Sequence, residues 1–274
     1  NASTELDNGF TVSFFQGINT NSTMAVTTAQ VTLGMGSLGT LQLNEDGGSK
    51  ANAIDDVMPN AMQETWDRVA DINGTNPSFF GASTAQGSVD YRIPTQEFAG
   101  LTINLAATYD PNIDEESSNA SSGGISTSVP GTAYVLQLSA MGLEVGLGQE
   151  NIDNGAGLTA GSDEENTTGY IKYAMGPITV GYQSNESDAG TGTDEDFTAY
   201  GISYAVSDDL SISYGVSSLD YELSTKEDQD SSAVSVSFTA GGVGISASHQ
   251  TTDNVAGTTA SDNSSYEVNF SFAF

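Results

Sequence analysis

The sequence contains no cysteine, which excludes disulfides and thiol chemistry and leaves the redox compartment unread. Basic residues are nearly as scarce: 5 Lys plus Arg stand against 36 Asp plus Glu, a formal net charge of −31. That balance excludes nucleic acid as a partner, because binding phosphates needs clustered cations. No run of 18 apolar residues exists, so there is no transmembrane helix. With a single histidine, His249, neither a Ser-His-Asp triad nor a histidine metal cluster can be built, and an enzyme has little to work with. The opening residues Asn1 to Thr4 are not a signal peptide; in an exported protein that segment has been removed. Hydrophobic residues make up only 37% of the chain, too little for a large dry core.

Such charge excess often marks disorder, but here 11 Tyr and 11 Phe recur inside strictly alternating segments. In 265–274, Tyr266, Val268, Phe270, Phe272 and Phe274 point one way while Glu267, Asn269, Ser271 and Ala273 point the other. The pattern repeats in Leu210-Ile212-Tyr214-Val216, in Leu101-Ile103-Leu105, in Tyr200-Ile202-Tyr204 and in Val234-Val236-Phe238. A soluble sandwich also alternates. The connections separate the two readings, because short turns such as 6–9, 36–39, 94–100, Met141-Gly142, Gly176-Pro177, 207–209 and Gly241-Gly242 alternate with long polar stretches. Transmembrane barrels sort their connections this way, with short turns on one side of the membrane and long loops on the other. A hollow barrel also removes the need for an apolar filling. Fourteen strands and a partial one over 1–6 are expected. Since bacterial single-chain barrels have even strand numbers, one further strand is expected before residue 1, the alternative being a fourteen-stranded barrel with a short N-terminal extension.

The interval 44–82 is too long and irregular for an ordinary connection. It carries Asp55, Asp56, Glu64, Asp67 and Asp71 together with Met58, Pro59, Met62, Trp66, Phe79 and Phe80. A loop folded into a barrel lumen needs this combination, with apolar groups against the wall and acids toward the channel; the alternative is an outer loop carrying a surface helix. Within it, 61–68 has the composition for about two helical turns. Asp46-Gly47-Gly48-Ser49-Lys50 lacks the spacing and setting of a phosphate loop. The carboxylates Asp163-Glu164-Glu165 and Asp194-Glu195-Asp196 could hold Ca²⁺, but without calcium-loop spacing a solvated acidic surface is the preferred reading, and no cofactor is expected.

The turn phrase Glu5-Leu6-Asp7-Asn8-Gly9-Phe10-Thr11-Val12, the turn Gly34-Met35-Gly36-Ser37-Leu38-Gly39-Thr40, the loop segment Asp55-Asp56-Val57-Met58-Pro59 and the terminal Phe274 carry a family resemblance. The chain resembles the trimeric general porins of the Gram-negative outer membrane, especially those of alphaproteobacteria, over essentially its whole length. The resemblance implies one domain over 1–274, an antiparallel up-and-down barrel of sixteen strands, and a third-hairpin loop that constricts the pore. It also implies a homotrimer among outer-membrane lipid and lipopolysaccharide, and passive diffusion of small hydrophilic solutes. By the same analogy Phe274 belongs to the C-terminal assembly signal. Such porins oppose the acids of the inward loop with a basic cluster on the facing wall. This sequence departs from that pattern, offering only Lys50, Arg68, Arg92, Lys172 and Lys226. Alternation puts Asp90, Arg92, Glu144 and Lys172 on the lumen wall. Asp55, Asp56, Glu64, Asp67, Asp71 and Arg68 are the expected constriction residues, and a cation preference follows from their charge. The competing reading is a sealed surface barrel or adhesin that presents acidic loops to a partner.

Overall fold

Among the described residues, period-two alternation becomes strand. The computed structural model describes residues 1–19, 25–46, 54, 57–69, 72–75, 87–111, 130–153, 163–189 and 194–272; Lys50, Asp55, Asp56, Asp71 and Phe274 lie outside the described residues. Strands β1 (Ala2–Glu5), β2 (Thr11–Asn19), β3 (Ala25–Gly34) and β4 (Thr40–Asp46) come first. After the long interval follow β5 (Ser88–Arg92), β6 (Gln96–Phe98), β7 (Leu101–Asp110) and β8 (Gly131–Ala140). Next are β9 (Leu143–Ile152), β10 (Glu164–Met175), β11 (Ile178–Asp188) and β12 (Glu195–Ala205). The last four are β13 (Leu210–Tyr221), β14 (Gln229–Ala240), β15 (Val243–Asp253) and β16 (Asn263–Phe272).

All sixteen belong to one antiparallel sheet in which neighbours in sequence are neighbours in space, β1 and β16 standing at the ends of the order. The one departure concerns β5 and β6, which both pair with β7. The sequence suggested a plain turn over 94–100. Instead Gln96–Phe98 pairs with 101–103, and the turn shrinks to Ala99-Gly100, with φ of 51° and 84°. Met141-Gly142 (49°, 83°) and Gly241-Gly242 (60°, 82°) turn in the same way. Two successive positive φ values define the type I′ hairpin, whose twist matches that of the flanking strands, and glycine at the second position makes it inexpensive.

Burial is inverted relative to a soluble domain. Gln183 and Thr252 are 0% exposed, whereas Val234 is 54% and Phe270 63% exposed. Tyr200, Ile202 and Tyr204 of β12 share the exposed face with Ile212 and Tyr214 of β13 and Val234 and Val236 of β14. The sheet curves around its polar face, as the interval between β4 and β5 shows. Its residues bond to Ser213 of β13, Gln229 of β14, Ser248 of β15 and Glu267 of β16, which a flat sheet would hold far beyond reach. No helix among the described residues is long and apolar enough to cross a membrane. The strands can do so because those within the order pair on both sides and so satisfy their backbone polar groups on their neighbours.

Placing a charge on the outward face tests this orientation. Val234→Arg is expected to cost about 2–4 kcal/mol in urea unfolding from lipid vesicles, while Thr251→Arg, close to the loop end of β15, costs about 0–1 kcal/mol. Equal effects would contradict the assigned lipid face.

Candidate functional site

The described residues of the interval that breaks the alternation, 54, 57–69 and 72–75, lie against the polar face of the sheet. Ile54, Met58, Trp66 and Val69 are buried and pack with Phe197, Ala199, Leu219 and Tyr221 of the wall, the edge of Trp66 meeting Phe197 at 5.1 Å between ring centroids. The apolar residues therefore pin the segment to the wall, as its composition suggested.

What lets the segment lie so close is a track of small residues. Gly181, Gly201 and Gly215 are register partners on β11, β12 and β13, and Ala233 of β14 continues the row. A Cβ on Gly181 would lie 2.5 Å from Pro59 Cδ, one on Gly201 would lie 3.0 Å from the Pro59 carbonyl oxygen, and one on Gly215 would lie 2.9 Å from Thr65 Cγ2. These glycines act through their missing side chains, not through unusual φ angles. Polar ties fix the rest. The Ala61 amide donates to Ser213 Oγ at 2.8 Å, Thr65 Oγ1 donates to Ser217 Oγ at 2.6 Å, and Ser248 Oγ donates to Gln63 Oε1 at 2.7 Å. At the far end, Gln229 Oε1 accepts from the Thr75 amide while its Nε2 donates to the Thr75 carbonyl.

Two expectations for this segment are corrected. No helix forms over 61–68. Its backbone amides are spent elsewhere, that of Ala61 on the wall and that of Glu64 on Asp67 Oδ2 at 2.7 Å. Glu64 does not face open channel, being only 4% exposed. It adjoins a cavity of about 10 Å³ bounded by Pro59, Trp66, Tyr200 and Gly215, room for about one water molecule. Asp67 is exposed, consistent with an acid turned to water. Arg68 reaches the opposite edge of the sheet, its Nη1 lying 3.0 Å from Glu267 Oε2.

Asp90, Arg92, Glu144 and Lys172 occupy the polar face, and each cation has an acid beside it. Arg92 Nη2 lies 3.1 Å from Asp90 Oδ2, and Lys172 Nζ lies 3.3 Å from Glu144 Oε2. Asp90 also accepts from Thr108 Oγ1 at 2.6 Å and from Asn44 Nδ2 at 3.2 Å, which satisfies a fully buried carboxylate. Tyr170 Oη donates to Glu144 Oε1 at 2.7 Å and accepts from Gln137 Nε2 at 3.1 Å. The wall thus presents neutralised pairs rather than a basic cluster.

At the loop ends acids crowd one another. Asp196 faces Asp220 directly in the sheet register, and Asp230 faces Asp253. The pKa of Glu222 is raised first by Asp194, then by desolvation and by Asp196, Asp220 and Asp188. That of Asp228 is raised by burial first and then by Asp220 and Asp230. Among the described residues no group of three His, Asp or Glu side chains is placed to hold a metal ion. His249 stacks on Tyr266 at 4.2 Å on the outward face, away from any nucleophile in the lumen.

A polar-lined, lipid-facing barrel with an internal loop seated on its wall is the architecture of a transmembrane channel. Comparison with known proteins agrees. A family model described as Gram-negative porin matches residues 1–239, and the chain belongs to that family, whose members lie in the outer membrane. No curated protein matches the sequence. Among solved structures, a porin refined at 1.8 Å resolution superposes with a TM-score of 0.65 at 16% identity, over 99% of this chain and 90% of the other. A variant of the Rh. blastica porin gives 0.59 at 16% identity, over 100% and 88%. OmpT of Vibrio cholerae, folded in vitro, gives 0.58 at 14% identity, over 99% and 87%. At such identities the likeness concerns the fold.

The glycine track makes a direct test available. Gly201→Val is expected to cost roughly 1–3 kcal/mol through overpacking and to move the segment off the wall, changing the single-channel conductance. Gly169→Ala, whose Cβ would meet only Leu147 at an ordinary 3.5 Å, should leave both unchanged.

Proposed function

We propose that this outer-membrane porin prefers cations and passes small hydrophilic solutes by passive diffusion as a homotrimer. One observation carries the preference: Arg68, Arg92 and Lys172 each pair with an acid at 3.0–3.3 Å, while the acids of the loop ends face one another. A close ion pair has little field beyond its own length, whereas like charges add, so the net potential at the loop ends is negative and concentrates cations. Asp67 is the described residue of the inward segment best placed to act on permeating ions. Asp55, Asp56 and Asp71 complete the proposed set, and Glu64, buried against the wall, contributes least. The trimer rests on family resemblance.

In planar bilayers the purified protein should give stepwise conductance in threes. Under a salt gradient, Asp67→Asn combined with neutralisation of Asp55, Asp56 and Asp71 should shift the reversal potential toward zero, and Glu64→Gln alone should shift it little. An unchanged reversal potential in the combined variant would remove the selectivity assignment.

The crowded rim also predicts a pH dependence. Glu222, chiefly through the charge of Asp194, and Asp228, chiefly through burial, have raised folded pKa values, so they bind protons before ordinary carboxylates as pH falls from neutral. Their contribution to folding is therefore favourable below the unfolded pKa and is lost as pH rises through the raised folded value. Cation preference should begin to weaken at mildly acidic pH, above the ordinary carboxylate range. The double variant Glu222→Gln, Asp228→Asn should flatten that limb, and an identical pH profile would contradict the rim's role.

A further inference from the structure

Between β5 and β6 the sheet departs from regular pairing, and a recess opens in the lumen wall at that place. Arg92 pairs with Ala106 and Gln96 with Ile103, so three residues, Ile93, Pro94 and Thr95, stand opposite two, Asn104 and Leu105. This is a β-bulge, and Pro94, without an amide hydrogen, sits where no ladder bond is required. The extra residue resets the faces. Arg92 points inward with Ala106, yet Phe98 is returned to the outward face beside Leu101, 77% exposed. The turn between β3 and β4 closes against the same spot through Gly39, whose φ is +94° and whose Cβ would strike the Arg92 carbonyl.

The recess holds about 340 Å³, at the lower end of the range for small-molecule sites. Its floor is Ala106 and Val135, and its polar groups are Thr40, Arg92, Thr95, Asn104 and Gln137. Their hydrogen-bond capacity is only partly used. Arg92 gives Nη2 to Asp90, its Nε is without a partner, and a guanidinium carries five donor hydrogens. Asn104 Oδ1 accepts from Thr95 Oγ1 at 2.7 Å, which leaves its Nδ2 to donate. Gln137 spends Nε2 on Tyr170 Oη, which leaves its Oε1 to accept. Around one apolar floor there remain a cationic fork, an amide donor and an amide acceptor.

From this complement we propose that the recess is a binding subsite for small hydroxycarboxylates passing through the pore. The carboxylate meets the Arg92 guanidinium, and a solute hydroxyl accepts from Asn104 Nδ2 and donates to Gln137 Oε1. Asp90, fully buried behind Arg92, cancels much of its field at a distance and leaves it effective at contact range. An acidic rim that decides which ions enter is therefore compatible with a contact site for a carboxylate inside. The inference rests on the lumen conducting and is independent of the cation preference.

The test is block of the ion current through purified protein in planar bilayers, with gluconate as the probe and sorbitol as its uncharged counterpart, at constant KCl. Gluconate should reduce the current in a saturable manner with excess noise, and sorbitol should do so far more weakly. Arg92→Gln should raise the half-blocking concentration at least about tenfold, the effect of losing a charge-assisted hydrogen-bond pair. Asn104→Leu, which leaves the Asp90–Arg92 pair in place, should raise it several-fold, so the proposal remains testable where Arg92→Gln fails to assemble. A reduction linear in concentration and equal for gluconate and sorbitol, or block unchanged in both variants, overturns the subsite while leaving the channel standing. Absence of any ion current would overturn the channel itself and the subsite with it.

Discussion

The structure depends on one constraint: backbone amides and carbonyls that cross a lipid layer must find partners within the protein. A continuous order of antiparallel strands meets it through neighbours, as the ladders from β7 to β15 do on both sides. Once the backbone is satisfied in this way, side chains are free to divide by parity, one set toward hydrocarbon and the other toward water. A low hydrophobic content is then no handicap, because only every second residue of a strand has to be apolar. The same division explains why exposed Tyr, Val and Phe coexist with buried Gln, Thr and Asp.

Filling part of the lumen reintroduces the problem that the barrel avoids, since a segment lying across the interior brings irregular backbone with it. Two devices solve it here. Hydroxyls and amides of the wall, notably Ser213, Ser217 and Gln229, take up the segment's polar groups. The row Gly181, Gly201 and Gly215 removes the side chains that would hold Pro59 and Thr65 away. Apolar packing around Trp66 and Phe197 supplies the cohesion, so a core of ordinary composition lies between the segment and the wall.

Much of this was legible in the sequence because strand periodicity is a local signal. The alternation, the sorting of short and long connections and the inward placement of Asp90, Arg92, Glu144 and Lys172 follow from parity counted along single strands. What parity cannot show is how strands line up. The glycine row exists only through register, its members being separated by whole strands, and singly each reads as one more small residue in a glycine-rich chain. The bulge was hidden for a related reason: 94–100 contains Pro94 and Gly100, so it resembles a turn, and only pairing with β7 separates strand from turn. In 61–68 local helix propensity was outweighed by bonds to a wall distant in sequence, as tertiary contacts commonly outweigh propensity. Glu64 was misplaced with the water-facing acids because its burial depends on those same contacts.

Charge in this molecule acts on two length scales, and the scales divide the work. Screening limits the reach of any exposed charge to about 8–10 Å at moderate ionic strength. Arg68, Arg92 and Lys172, each about 3 Å from an acid, are largely cancelled well inside that distance. Around Glu222 and Asp228 acids crowd instead, and the charges of Asp194 and Asp220 help to raise the pKa values of those two groups. An approaching ion therefore senses the rim first and meets the guanidinium of Arg92 only on contact. With 36 acids and 5 bases, the chain has enough negative charge to set the long-range field and just enough positive charge to place donors at chosen points on the wall.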